Sequence, residues 1–134
     1  MVDQEVPMSL TDSVVAVMLP VGDVARAQEF YEKRLALPYD GTSPAGEVMF
    51  RIAGGSHVAL RPLPDVQPSP NTALSFEVSD IATEIADLES RGVTFEDYDQ
   101  PDFTTVDHVF DDGAMKAAWF LDPDGNILCL HQPL

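Results

Sequence analysis

The sequence predicts an α+β fold built from two βαβββ modules. Three observations lead there: an internal repeat, strand-like alternation of apolar residues in both halves, and an aspartate placed to open a helix after the first strand of each. The stretches "AVMLPVGDVARAQEFYEKRL" and "ALSFEVSDIATEIADLESRG" align at one constant offset. Ala16, Val21, Asp23, Val24, Ala25 and Arg34 then meet Ala73, Val78, Asp80, Ile81, Ala82 and Arg91. At a larger offset "GSHVAL" meets "GNILCL", so the second half carries a longer connection.

Each element has a local reason. The first strand alternates Val15, Val17 and Leu19 and ends at Asp23, whose carboxylate can accept from the free amides of a following helix. That helix repeats apolar residues at Val24, Ala27, Tyr31 and Leu35, and Pro38 keeps it from running on. A short strand near Tyr39 and strands over residues 47–53 and 57–63 complete the first module. In the second, Asp80 opens a helix with Ile81, Ile85 and Leu88 on one face, and Gly92 stops it. Strands over residues 93–98, 114–121 and 126–132 follow. "DPDGN" between the last two is a hairpin turn, in which Pro123 presets the first angle and Gly125 or Asn126 takes positive φ.

A chain of 134 residues, 45% apolar, supports one compact core. The expected organisation is an N-terminal tail, 1–12, and a single domain, 13–134. Its modules, 13–63 and 71–134, are joined by the proline-dense linker "PLPDVQPSPN". The opening residues are polar and acidic, unlike a signal peptide, and no apolar run is long enough to cross a bilayer, so a cytoplasmic protein is expected. A single cysteine excludes an internal disulfide. With 23 acidic and 7 basic side chains the net charge is -16, which argues against nucleic acid and anionic membrane as partners and welcomes cations.

Alternation splits the strands into two sets. Val15, Val17, Leu19, Val58, Leu60, Leu74, Phe76, Val78, Leu128 and Leu130 are uniformly bulky and belong under the helices. Ala16, Met18, His57, Ala59, Arg61, Ala73, Ser75, Glu77, Ile127, Cys129 and His131 are small, polar and mixed, which suits a cleft. Cys129 on that face is open to three roles: a small packing residue, a metal ligand, or a nucleophile served by His57 or His131.

The paired halves, "VGDVARAQEFYEKRLAL" and "WFLDPDGNILCLHQP" together resemble the vicinal oxygen chelate superfamily, the group of glyoxalase I, bleomycin resistance proteins and extradiol dioxygenases. The resemblance implies the vicinal oxygen chelate fold and covers nearly the whole chain. It also implies four metal-ligand positions, seven residues before each capping aspartate and four after each hairpin glycine. Here they hold Ala16, Ala59, Ala73 and Cys129. No metal or other cofactor is therefore expected, since even a catalytic zinc usually keeps three protein ligands.

The expectation is a metal-independent protein that binds a small organic molecule, cationic and drug-like or a natural product, as the bleomycin-binding relatives do. Met18, His57, Arg61, Ser75, Glu77, Trp119, Cys129 and His131 are the candidate ligand-binding residues. Seven carboxylates without Lys or Arg in "EDYDQPDFTTVDHVFDDG" favour a cation. The alternative is an enzyme, a lyase, isomerase or dioxygenase-like protein working through non-standard cleft residues, its catalytic groups unassigned. A homodimer is expected, because relatives pair modules across chains and edge strands need covering.

Overall fold

The computed structural model describes residues 9–134. Residues 1–8 of the expected tail lie outside the described residues. The first module runs β1 (Ala16–Val21), α1 (Val24–Glu29), β2 (Tyr39–Thr42), β3 (Val48–Arg51) and β4 (His57–Pro62). The second runs β5 (Thr72–Glu77), α2 (Ile81–Ser90), a short hairpin of β6 (Asp99–Gln100) and β7 (Phe103–Thr104), then β8 (Phe110–Asp111), β9 (Met115–Leu121) and β10 (Ile127–Pro133). The two main sheets have the same order, β1-β4-β3-β2 and β5-β10-β9-β8. In each, first and last strands pair in parallel and the rest are antiparallel. The repeat read in the sequence is thus a repeat of topology.

Both capping aspartates act as expected: Asp23 accepts from the Arg26 amide at 3.1 Å and Asp80 from the Thr83 amide at 3.2 Å. The first helix differs from a uniform α-helix, because residues Phe30–Arg34 form a π turn. The wider turn keeps Tyr31 and Leu35 on the buried face while Ala36 takes a left-handed conformation and the chain leaves before Pro38. Gly92 ends α2 at φ 91° and also leaves room for Arg34, which donates to the Arg91 carbonyl at 2.9 Å.

Leu19, Val58, Leu60, Leu128 and Leu130 are buried, with Val17, Leu74, Phe76 and Val78 packed against them, so the bulky set lies under the helices. Val15 is a correction: at 57% exposed it precedes β1 and lies beyond the helix-covered area. A second correction concerns residues 93–98, read as a strand. Only Phe95 bridges to β9, opposite Phe120, before the chain leaves the sheet and returns as β8. Proline and a density of like charges in the excursion oppose a continuous edge strand. Among the described residues no helix is long and apolar enough to cross a membrane.

The modules are joined through the "DPDGN" hairpin. Gly125 takes the positive φ, 91°, and Asn126 does not. Asp122, 4% exposed, accepts from the Tyr31 hydroxyl at 2.8 Å and from both the amide and the side chain of Asn126 at 2.8 Å. Asp124 accepts from the Gly22 amide at 2.8 Å, and Asn126 donates to the Pro20 carbonyl at 3.1 Å. The end of β1 and the start of α1 are in this way fastened to the turn of the second sheet.

Candidate functional site

The uncovered faces of the two sheets hold the predicted residues in two separate groups. On the first sheet the parallel register sets Ala16 beside His57 and Met18 beside Ala59, while β3 sets Met49 beside Ala59 and Arg51 beside His57. Met18 is 45% exposed, Arg61 is exposed and Ala59, flanked by Met18 and Met49, is buried. Asp40, which sequence reasoning missed, holds this group together, with His57 Nε2 at 2.6 Å and Arg51 Nη2 at 2.9 Å. His57 first and then Arg51 keep its carboxyl below the ordinary range by hydrogen bonding.

On the second sheet β5 and β10 set Ser75 beside Cys129 and Glu77 beside His131, and β9 sets Trp119 on the other side of Cys129. Ser75 Oγ lies 2.6 Å from His131 Nδ1, and His131 Nε2 lies 3.7 Å from a Glu77 carboxylate oxygen. Cys129 is correctly placed by alternation but is not an open cleft residue, being only 5% exposed. Burial pushes its thiol pKa up, only partly offset by the neighbouring Ser75 side chain and the Ala118 backbone. The thiolate that a nucleophile or ligand needs is disfavoured, which supports packing over the other two roles. At neutral pH, alkylation of Cys129 by iodoacetamide should be at least about tenfold slower in native than in urea-unfolded protein. Equal rates would show the thiol to be open.

The acidic excursion does more than present charge. Its hairpin folds Tyr98 and Phe103 onto Trp119, with ring centroids 5.7 and 5.4 Å away, and Phe110 completes the cluster 4.9 Å from Phe103. The Tyr98 ring against Trp119, the β9 partner of Cys129, puts it on this side of the sheet, and burial first, then Glu96 and Cys129, raise its phenol above the ordinary pKa. Sequence reasoning took only Trp119 from this cluster. Three aromatic residues inside an acidic insertion were the available signal, since a purely solvated loop has no need of them.

The carboxylates of the excursion have different tasks. Asp111 accepts from the Gly113 amide, and Asp112 accepts from the amides of Ala114 and Met115, so both build the turn into β9. His108 sits between Asp97 at 2.9 Å and Glu89 at 3.2 Å and ties the excursion to α2. Asp99 and Asp102 lie exposed on the hairpin beside the aromatic cluster.

A broad concavity lies elsewhere. A groove of about 620 Å³ runs between α2 and residues 104–111, lined by Ala82, Ala86, Val106, His108 and Lys116 among others. None of the eight predicted residues lines it. The first-sheet and second-sheet groups sit on separate sheets, which share no ladder among the described residues.

The four positions implied for a metal do not suit one. Ala16, Ala59 and Ala73 have methyl side chains with no donor atom, and the fourth position holds the buried thiol of Cys129. Among the described residues no group of three or more His, Cys, Asp or Glu side chains is arranged to hold an ion.

Comparison with known proteins agrees with this architecture. Among solved structures, the chain is similar to TnmS3, an antibiotic binding protein from Streptomyces sp. CB03234, at 24% identity and a TM-score of 0.67, over 97% of this chain and 100% of that one. It is similar to a superfamily member from Sphaerobacter thermophilus DSM 20745, at 26% identity and a TM-score of 0.68, over 90% and 96% of the two chains. The fosfomycin resistance protein FosX from Listeria monocytogenes shares the fold at 16% identity and a TM-score of 0.65, over 91% and 90%. No curated protein matches the chain. A family model described as the Glyoxalase/Bleomycin resistance protein/Dioxygenase superfamily matches residues 13–130, nearly all of both modules. With that match, the repeated topology and the shared hairpin, the chain belongs to the Glyoxalase/Bleomycin resistance protein/Dioxygenase superfamily.

Proposed function

We propose that this protein binds a flat, positively charged organic molecule without a metal, against the aromatic face formed by Tyr98, Phe103, Phe110 and Trp119. The observation that carries the reading is that cluster, with Asp99 and Asp102 on the same hairpin. Aromatic faces attract cations and stack on planar rings, and nearby carboxylates speed the approach of a cation. Met18, His57, Arg61, Ser75, Glu77 and His131 line the remaining walls in this proposal, with Cys129 buried beside Ser75. An antibiotic binding protein among the similar structures is consistent with sequestration as the role.

A homodimer completes the cleft in this reading. Met18, Ala16 and Arg61 stay exposed on one face and Ser75 and Glu77 on another, while β1 and β5 are both edge strands. A second copy that sets the first sheet of one chain against the second sheet of the other would bring the two groups together. An acidic domain with one buried thiol is suited to the reducing cytoplasm, where we place it.

Trp119 is the sole tryptophan, so its emission reports directly on the site. Titration of untagged protein with the flat cations acridine orange and ethidium is expected to quench that emission saturably and to raise the melting temperature by mass action. Metal analysis of the same sample is expected to find less than stoichiometric transition metal, and sedimentation at micromolar concentration to find dimer. A panel in which only anions raise the melting temperature, with the shift lost in Arg61→Ala, would replace the cationic ligand with a carboxylate or phosphate clamped by arginine.

A further inference from the structure

We propose that Ser75 is a nucleophile activated by His131, forming a site for acyl transfer from activated esters on the uncovered face of the second sheet. Four features support this. Ser75 Oγ and His131 Nδ1 are 2.6 Å apart, a contact short enough for the hydroxyl to donate directly to the ring nitrogen. On the far side of the ring the Glu77 carboxylate lies 3.7 Å from His131 Nε2, on the side where a carboxylate orients the base of a serine–histidine pair. The three residues stand on two adjacent parallel strands, β5 and β10, so a regular ladder rather than a loop holds their spacing. Ser75 is exposed, whereas the neighbouring thiol of Cys129 is buried and its pKa is raised, so the hydroxyl is the more accessible nucleophile.

In the step, Ser75 Oγ bonds to the ester carbonyl carbon as its proton passes to His131 Nδ1. The carbon–oxygen bond to the alcohol then breaks, and the alcohol leaves with the proton returned by His131. Water, deprotonated by the same imidazole, attacks the acyl-serine and releases the acid, regenerating the Ser75 hydroxyl. Serine and histidine touch the reacting atoms; Glu77 is a positioning residue. The face is shared with the proposed ligand site, but the chemistry does not require a cationic ligand.

A fluorophosphonate probe isolates the first half of the cycle: the Oγ–P bond forms, fluoride leaves and the proton goes to His131. Intact-mass and peptide analysis of the full chain is expected to find one adduct, on Ser75, absent in Ser75→Ala. His131→Ala is expected to slow labelling about 100-fold, with partial recovery on adding free imidazole. His131→Asn, which keeps a hydrogen-bonding side chain but no base, should be equally slow and guards against misfolding as the cause. Glu77→Gln should slow labelling several-fold, and Glu77→Asp, which keeps the carboxylate, should recover part of the rate. Hydrolysis of p-nitrophenyl acetate should follow the same order. No adduct on Ser75, or an adduct formed as fast in His131→Asn as in the parent, overturns the proposal. Dye quenching without labelling would remove the nucleophile alone, and labelling without dye quenching would remove the binding assignment alone.

Discussion

Replacing Asp122 with alanine is expected to cost the native state about 3 kcal/mol or more, because at least two buried donors, each worth about 1–3 kcal/mol when left without a partner, lose their acceptor. The donors are the Tyr31 hydroxyl and the Asn126 amide and side chain, all at 2.8 Å. Such a loss is a large share of the roughly 5–15 kcal/mol that holds a domain folded, so urea unfolding should show a greatly lowered midpoint. Asp122→Asn keeps one carbonyl acceptor and an amide able to donate to Tyr31, and should lie between the two. The same contact has a signature at high pH. Burial first, and then the Asp122 carboxylate, holds the Tyr31 phenol above its ordinary value of 10.0. The folded protein therefore keeps a proton that the unfolded chain gives up above pH 10, and stability is intact below that point and falls beyond it. The slope contributed by one such group approaches about 1.4 kcal/mol per pH unit. Tyr31→Phe should start from a lower stability and lose that share of the slope. An unchanged slope would mean that the phenol is not shielded.

Phe103→Ala is expected to weaken acridine orange binding at least about tenfold, or about 1.4 kcal/mol, because it removes the ring that links Tyr98, Trp119 and Phe110. The fluorophore, Trp119, remains in place, so the same quenching titration measures both proteins. An unaltered affinity would place the dye elsewhere, with the α2 groove the next region to probe by Ala86→Trp. Neutralising Asp99 and Asp102 to asparagine should slow association, and raising salt should slow the parent in the same way. Asp111 and Asp112 are less suitable for that test, since their carboxylates hold the turn before β9 and their loss would disturb the strand that carries Trp119.

Much of this architecture was legible because it is local. Alternation placed Leu60 and Leu128 beneath the helices and Ser75 and His131 on the opposite face, since a strand turns its side chains by a period of two whatever lies around it. Asp23 and Asp80 marked helix starts because a capping carboxylate reaches amides only two or three residues ahead. Gly92 and Gly125 marked turns because each adopts a positive φ that other residues resist.

What only the tertiary structure decided depends on pairs far apart in the chain. Tyr31 was legible as a buried helix residue, but its partner Asp122 lies 91 residues away and belongs to the other module. Val15 follows the alternation of its strand yet is exposed, because burial depends on where the helix above it ends. The stretch after Gly92 has the composition of a strand, but only Phe95 pairs, and the excursion that follows folds its aromatic rings back onto Trp119. Seven of the eight candidate site residues, all but Trp119, were assigned to one face by period, and the eight are divided between two separate sheets. Period determines which side of a strand a residue occupies; the packing of sheets, helices and copies of the chain determines what that side meets.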